Sequence, residues 1–239
     1  MTLSNTPPVA IITGASQGIG EGLVAGYRKL GYAVVANSRR IQTGGDSMVL
    51  AVAGDVAEPG VGRRIVDAAI DRFGRVDAVV NNAGIFIAKP FTEYTDADYE
   101  AVTGVNLRGF FEVSRAAIPA MLSRPGGGHL VNISTSLVDH AHSRVPSALA
   151  SLTKGGLNAV TRSLAIEYAE RGIRSNAVAL GIIRTPMHDP STYETLAELH
   201  PVRRVGEVAD VVDAVLYLER APFVTGEVLH VDGGQSAGH

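Results

Sequence analysis

The stretch V-A-I-I-T-G-A-S-Q-G-I-G (Val9–Gly20) decides the fold class of this chain. Its first five residues form an apolar run that predicts a buried strand, and the segment that begins at Ile19 predicts a helix. Between them the glycines have the spacing G-x-x-x-G-x-G. Such glycines let a backbone turn sharply and approach a pyrophosphate at a helix N-terminus. The alternative is a glycine-rich turn that binds no ligand, but the strand–turn–helix order favours a nucleotide site.

Short apolar runs alternate with longer amphipathic segments along the whole chain. Predicted strands cover Val9–Thr13, Ala33–Ser38, Met48–Ala53, Ala78–Asn82, His129–Ser134, Arg174–Ala179 and Glu227–Val231. Predicted helices cover Ile19–Leu30, Pro59–Phe73, Asp96–Leu122, Ser147–Arg171 and Val208–Leu218. Apolar runs with little alternation are typical of strands covered on both faces, and intervening helices indicate parallel pairing. The pattern predicts an α/β protein: a single doubly wound Rossmann-type domain, residues 1–239, with a seven-stranded parallel sheet flanked by helices.

The composition argues against several classes of protein. The chain has 239 residues, of which 46% are apolar and 19% charged, and its net charge is -3, so no basic surface for nucleic acid is expected. It contains no cysteine, which excludes disulfides and thiolate sites. The start M-T-L-S-N-T-P-P does not resemble a signal peptide, and no apolar run reaches the roughly 18 residues of a membrane span. We expect a soluble cytoplasmic protein with no nucleic-acid or membrane partner.

The end of the second predicted strand bears on the choice of cofactor. An acidic residue there would bind the 2′-hydroxyl of an adenosine ribose and favour NAD. This chain has Ser38-Arg39-Arg40 instead, and a hydroxyl with a guanidinium suits a 2′-phosphate, so we expect NADP(H), with NAD possible. The alternative is that these arginines form a solvated basic loop. Asp55, just after the third strand, is placed for the adenine amine, or it is a surface turn residue.

Four further motifs follow the glycine turn in order. They are N-N-A-G (Asn81–Gly84), Asn106 in G-V-N-L-R-G, V-N-I-S-T-S (Val131–Ser136) and Lys154 in L-T-K-G-G. Together with the glycine turn, they resemble the short-chain dehydrogenase/reductase family over almost the whole chain. The resemblance extends to I-I-R-T-P-M (Ile182–Met187) and to F-V-T-G-E-V-L-H-V-D-G-G (Phe223–Gly234).

This resemblance implies a set of cofactor contacts and an assembly. The residues expected to bind the cofactor are Gly14, Ser16, Gln17, Gly18, Ile19, Gly20, Ser38, Arg39, Asp55, Val56, Asn82, Ala83, Gly84, Lys154, Ile183 and Thr185. In the family, the segment matching Ile183–Thr185 contacts the nicotinamide end. Residues 186–200, here called the lid segment, would close over a small-molecule substrate. Members of the family are commonly homodimers or homotetramers built on the two long helices.

The family's catalytic residues are Asn, Ser, Tyr and Lys. Asn106 matches the asparagine, which holds a water linked to the lysine, and Lys154 matches the lysine, which binds the nicotinamide ribose. The tyrosine belongs four residues before the lysine, where this chain has Ala150. The serine position falls on Ser136 or Thr135, and Ser136 is the predicted catalytic residue.

Other groups could supply the proton that the tyrosine would donate. His140 and His142 lie in the loop after the fifth strand, which borders the substrate in this fold, and histidine can donate a proton near neutral pH. The alternative is two exposed loop histidines. Other possible proton donors are Tyr193, Tyr94 and the water that Asn106 would hold next to Lys154, here called the Asn106–Lys154 relay. The H-x-H pair could bind a metal, but no third ligand is evident, so no metal site is predicted.

We therefore expect an NADP(H)-dependent oxidoreductase that transfers hydride to or from a small carbonyl compound, an alcohol or a related compound, with an atypical active site. The competing hypothesis is a catalytically impaired NAD(P)-binding protein with a sensing or assembly role. The side chains of the lid segment would decide the substrate.

Overall fold

A computed structural model describes residues 6–42 and 44–238 of the chain. Seven strands form its central sheet: β1 (Val9–Thr13), β2 (Ala33–Ser38), β3 (Val49–Ala53), β4 (Ala78–Asn81), β5 (Gly128–Thr135), β6 (Ile173–Leu180) and β7 (Val228–Val231). Their order in the sheet is β3-β2-β1-β4-β5-β6-β7, and the paired strands are all parallel. The predicted α/β class and seven-stranded parallel sheet are confirmed.

Helices cover both faces of the sheet. They are α1 (Gly18–Lys29), α2 (Val61–Phe73), α3 (Asp96–Thr103), α4 (Gly109–Leu122), α5 (Ala148–Tyr168), α6 (Tyr193–Ala197) and α7 (Val208–Arg220). Side chains of α1 and α7 pack with one set of strand residues, and those of α2 and α4 pack with the alternate set. Because both faces are covered, the inner strands such as β1, β2 and β4 are almost completely buried, as their continuous apolar runs predicted, whereas the edge strands β3 and β7 are mostly half-buried.

The long helix predicted over 96–122 is interrupted. A π-helical turn at Gly104–Arg108 separates α3 from α4, and it contains Asn106. π-helical turns often occur at functional sites. The helix predicted over Ser147–Arg171 corresponds to α5, which is followed by a 3₁₀ turn at Ala169–Arg171.

The sheet order reverses between β1 and β4. From β1 the chain proceeds to β2 and β3 on one side, and it then crosses to β4 on the other. In open parallel sheets, ligands bind in the crevice outside the carboxyl ends of the strands at such a reversal. Among the described residues, none of the helices combines the length and apolar character needed to cross a bilayer.

Candidate active site

The glycine turn lies at the carboxyl end of β1, beside the reversal in strand order. Gly14 and Gly18 have φ angles of 67° and 56°, which glycine adopts without strain. A Cβ atom at Gly20 would lie 2.1 Å from the carbonyl oxygen of Gly14, so a side chain there cannot fit. Ser16 and Gln17 are exposed at the tip of the turn, and Ile19 is half-buried. The turn therefore presents bare backbone at the start of α1.

The end of β4 is bound to this turn by hydrogen bonds. The side-chain amide of Asn82 donates to the carbonyl oxygens of Thr13 and Gly14, at 2.8 and 3.2 Å. The hydroxyl of Thr13 accepts from the backbone N–H groups of Asn82 and Ala83, at 3.1 and 3.0 Å. These bonds hold the predicted cofactor residues of β1 and β4 in one rigid unit.

Gly84, Asn106 and Lys154 meet at the carboxyl ends of β4 and β5. A Cβ atom at Gly84 would lie 3.1 Å from Nζ of Lys154 and 3.4 Å from Oδ1 of Asn106. The Asn106 side chain pairs with the backbone of Ile85: Oδ1 accepts from its N–H at 3.0 Å and Nδ2 donates to its carbonyl at 3.1 Å. Three residues from distant parts of the sequence thus come together at one edge of the sheet.

Lys154 is buried with few polar contacts. Its residue is 9% exposed, and Nζ donates a hydrogen bond to the carbonyl oxygen of Ile133 at 2.7 Å. Burial lowers the pKa of Lys154 from 10.5 to about 8. Within residues 6–42 and 44–238, no carboxylate forms an ion pair with it.

Ala150 lies one helical turn before Lys154 on α5, and it is 3% exposed.

The two hydroxyls at the predicted position of the catalytic serine, those of Ser136 and Thr135, differ in their surroundings. Ser136 is completely buried, and its Oγ lies 3.1 Å from the carbonyl oxygen of Leu180 and 3.3 Å from Oε1 of Gln235. Thr135 is half-buried and accepts a hydrogen bond from the N–H of Leu137. The structure thus places the Ser136 hydroxyl in the interior and the Thr135 hydroxyl nearer the surface.

The far end of the crevice lies at β2 and β3. The Ser38 hydroxyl is buried, and its oxygen has no hydrogen-bond partner among the described residues. Arg39 is exposed, and the described part of the chain gives it no ion pair. Asp55 accepts a hydrogen bond from the N–H of Ala57 at 3.0 Å, and Val56 packs in the core. A buried hydroxyl without a partner, next to an unpaired guanidinium, fits a 2′-phosphate.

The segment after β6 brings Ile183 and Thr185 to the glycine turn. A Cβ atom at Gly18 would lie 3.3 Å from Cβ of Thr185. Ile183 is buried and pairs in a parallel bridge with Gly206. The hydroxyl of Tyr193, in the lid segment, donates to the Thr185 carbonyl oxygen at 3.2 Å. The predicted lid segment therefore begins at the mouth of the crevice.

The other predicted proton donors are engaged in contacts of their own. The Tyr94 hydroxyl donates to the carbonyl oxygen of Ile87 at 2.8 Å. Nδ1 of His142 accepts from the N–H of Arg144 at 3.2 Å, and the N–H of His140 donates to the Ser136 carbonyl oxygen. Among the described residues, no group of three or more His, Cys, Asp or Glu side chains is placed to hold a metal ion.

Sequence reasoning missed two histidines in the lid segment. His188 is half-buried, and burial lowers its pKa. His200 is 2% exposed, and its Nε2 accepts a hydrogen bond from the N–H of Ile182 at 3.0 Å. No motif marked either residue. The sequence signal that could have found His200 is the pair of glycines that contact it, Gly181 in A-L-G and Gly233 in V-D-G-G.

Comparison with known proteins gives consistent matches over most of the chain. The family model described as enoyl-(acyl carrier protein) reductase matches residues 14–236. A protein named as a granaticin polyketide synthase ketoacyl reductase from Streptomyces violaceoruber is 39% identical over 242 residues, which cover 95% of each chain.

Two solved structures share both the fold and the sequence pattern. The 3-ketoacyl-(acyl-carrier-protein) reductase from Brucella melitensis, complexed with NADH, is 32% identical, with a TM-score of 0.88, and the match covers 96% of this chain and 98% of that one. ElxO with NADP bound is 28% identical, with a TM-score of 0.89, and the match covers 97% of this chain and 100% of that one. Similar chains thus bind nicotinamide dinucleotides of both kinds.

Proposed function

The chain belongs to the short-chain dehydrogenase/reductase family, and from this premise we propose that it is an NADP(H)-dependent oxidoreductase with an atypical active site. The observation that carries the proposal is the convergence of Gly84, Asn106 and Lys154 beside the glycine turn. NADP(H), when bound, supplies or accepts the hydride. The substrate is a small carbonyl compound, alcohol or related molecule. Ketoacyl compounds are the first to test, because two of the similar proteins are named as reductases of that class.

The cofactor is held along the crevice from the glycine turn to the end of β2. The backbone from Gly14 to Gly20 receives the pyrophosphate, and Ser38 with Arg39 receives the 2′-phosphate. Support for NADP(H) over NAD(H) comes from the buried Ser38 hydroxyl, which has no partner among the described residues, and from the exposed Arg39, which forms no ion pair with any of them. Asp55 and Val56 would contact the adenine, and Asn82, Ala83, Ile183 and Thr185 would contact the nicotinamide half.

Titration of both cofactors by fluorescence tests this assignment. NADPH should bind more tightly than NADH, and Arg39→Asp should weaken NADPH binding by roughly 10- to 100-fold while changing NADH binding little, since it removes a charge-assisted contact and adds a repulsive charge. Arg63→Ala is a matched control, because this exposed arginine pairs with Asp67 on α2. Equal affinity for the two cofactors in the unmodified protein would contradict the assignment.

Lys154 would bind the nicotinamide ribose, and its ammonium would supply a proton through the bound water. Its ammonium has N–H groups besides the one donated to Ile133, and Asn106 lies beside it next to Gly84. The contacts of Ser136, Tyr94 and Tyr193 make these hydroxyls weaker candidates for the proton donor. We therefore favour a water on the Asn106–Lys154 relay, because the half-buried Thr135 hydroxyl also donates to the Leu180 carbonyl oxygen, at 3.3 Å. His140 and His142 are the alternatives from the loop after β5.

A second candidate function is a catalytically impaired NAD(P)-binding protein with a sensing or assembly role. The observation that favours it is Ala150, which offers no acid where the family has tyrosine. Single-turnover NADPH oxidation with a panel of ketoacyl compounds, aldehydes and ketones separates the two functions. Tight NADPH binding without oxidation on any compound would favour the impaired protein.

We also propose a homodimer or homotetramer that assembles in the cytoplasm through α4 and α5. Both helices expose large apolar side chains: Phe111 on α4 is 53% exposed, and Leu152 and Ile166 on α5 are 60% and 80% exposed. Residues 186–200 would act as the lid of a single domain, with Tyr193 and Arg184 at its base, where the guanidinium stacks on the ring at 4.4 Å.

A further inference from the structure

His200 lies at the end of the lid segment and is one of the most deeply buried polar residues of the described chain. Its Nε2 accepts a hydrogen bond from the backbone N–H of Ile182 at 3.0 Å. A ring nitrogen that accepts a hydrogen bond carries no proton, so the imidazole is neutral with its proton on Nδ1. Nδ1 is itself buried, and the nearest acceptor is the backbone of Leu196, one turn earlier, whose contact with the imidazole raises its pKa but is too poorly aligned to satisfy Nδ1 fully.

Two glycines make room for the imidazole. A Cβ atom at Gly181 would lie 2.6 Å from Nε2 of His200, and a Cβ atom at Gly233 would lie 3.2 Å from its Cβ. The next contact along the chain is the N–H of Val202, which donates to the carbonyl oxygen of Gly233 at 3.2 Å. The end of the lid segment thus packs against Gly181, which follows β6, and Gly233, which follows β7.

The hydrogen bond to Ile182 fixes a segment that faces the crevice. Ile182 and Arg184 each form a backbone hydrogen bond with Gly206. The N–H of Gly206 donates to the carbonyl oxygen of Ile182, and the N–H of Arg184 donates to the carbonyl oxygen of Gly206, both at 2.8 Å. One residue further, Thr185 lies against Gly18 of the glycine turn. His200 therefore connects the base of the lid segment with residues 182–185.

We propose that His200 is a positioning residue that fixes residues 182–185 and the base of the lid segment only while its imidazole is neutral. Protonation of Nε2 replaces the acceptor by a donor. The new N–H would point at the N–H of Ile182, and neither group would have an acceptor. Loss of this contact loosens the lid segment at low pH. The inference goes beyond the proposed function, since it requires neither the cofactor nor the reaction.

Two charged groups face His200 from the elements packed around it. Asp232, after β7, favours the protonated imidazole, but its carboxylate already accepts from the N–H groups of Gly234 and Ser236, at 3.0 and 2.8 Å. Arg204, after the lid segment, disfavours it. Burial is the larger effect and lowers the pKa of His200 below 6.5. The neutral contact is therefore complete above pH 6.5, and it is lost as the pH falls through the lowered pKa of the folded protein.

Hydrogen exchange followed by mass spectrometry tests the proposal on the unliganded protein. After correction for intrinsic rates, exchange in a peptide covering residues 182–200 should accelerate by roughly 5- to 150-fold between about pH 7.5 and pH 5, the range expected when a buried donor loses its acceptor. A peptide from β5 should show no such change. His200→Gln keeps an acceptor that does not titrate, so its peptide should stay protected at both pH values. His200→Leu should be unprotected at both.

His188→Gln is the matched control, because His188 is a half-buried histidine of the same segment whose pKa is also lowered by burial. It should retain the pH dependence of the unmodified protein. The proposal is wrong if His200→Gln loses protection at low pH as the unmodified protein does, or if His188→Gln abolishes the pH dependence. It is also wrong if the unmodified peptide 182–200 exchanges equally at both pH values. If His200→Leu fails to fold, the comparison of His200→Gln with the unmodified protein decides.

Discussion

Replacing Lys154 by methionine should stabilise the fold while it weakens cofactor binding. The substitution removes a buried ammonium and keeps most of its apolar stem. Burial lowers the pKa of Lys154 from 10.5 to about 8. That difference corresponds to about 3 kcal/mol that the folded state loses when the lysine is charged. At neutral pH, Lys154→Met should therefore raise the free energy of unfolding by up to about 3 kcal/mol.

The pH dependence of this gain follows from the sign of the shift. Below pH 8 both the folded and the unfolded chain carry the proton on Lys154, so the full cost is present. Between about 8 and 10.5 the unfolded chain keeps a proton that the folded chain has released, so the stability of the unmodified protein rises with pH. The advantage of the variant should be constant below pH 8 and should disappear near pH 10.5.

Urea unfolding followed by circular dichroism, at several pH values from about 7 to 10.5, measures the difference in unfolding free energy between the two proteins. Other titrating groups are common to both and cancel. Lys29→Met, an exposed lysine on α1, is the control and should change stability little at any pH. A gain in Lys154→Met that does not decline toward high pH would refute the assignment of a desolvated cation, and a variant less stable at pH 7 would refute the energetic argument.

Three further predictions follow from particular positions. Ala150→Tyr places a phenol one turn before Lys154 and should raise carbonyl reduction by as much as roughly 10²–10⁴-fold in single-turnover NADPH oxidation, although overpacking at this buried site costs roughly 1–3 kcal/mol. A folded, cofactor-binding variant with no gain would show that more than the acid is missing. Light scattering at micromolar concentration should give a dimer or tetramer that Ile166→Glu on α5 dissociates, and a monomeric unmodified protein would contradict the proposed interface. Arg203 is the non-glycine residue with a positive φ, 58°, in the described chain. Arg203→Gly should therefore raise the free energy of unfolding by about 1 kcal/mol, and a lower melting temperature would show that this backbone is not strained.

The fold could be predicted from sequence because its determinants are local. Each strand of a covered parallel sheet is a short apolar run, and each run ends at a residue that prefers a turn. The observed bounds of β1 and β2 equal the predicted ones, and β5 extends by one residue at each end of its prediction. The π-helical turn at Gly104–Arg108 was missed, because one extra residue in a helix leaves the apolar periodicity of α3 and α4 almost unchanged.

The site could be predicted only in part, since motifs locate backbone but do not orient side chains in loops. The place of Gly84 follows from the end of β4, whereas Asn106 lies in the π-helical turn and Lys154 on α5, so only the family resemblance indicated that the three would meet. The direction of the Ser136 hydroxyl does not, because it depends on Leu180 and on Gln235 near the C-terminus. The burial of His200 depends in the same way on glycines from two other strand ends, so its sequence context suggested only a lid residue.

The energetics of Lys154 bear on the choice between a cofactor-binding protein and a purely structural oligomer. A buried ammonium without a carboxylate partner destabilises a fold, and a methionine of similar length would avoid that cost. Nζ donates one hydrogen bond, to the Ile133 carbonyl oxygen, and burial lowers the pKa of Lys154 to about 8. A ligand that accepted hydrogen bonds from the remaining N–H groups would offset this loss, and the two hydroxyls of a ribose beside Gly84 would be such acceptors. The buried ammonium thus favours a retained cofactor site even if Ala150 leaves hydride transfer slow. NADPH should raise the stability of the unmodified protein more than that of Lys154→Met.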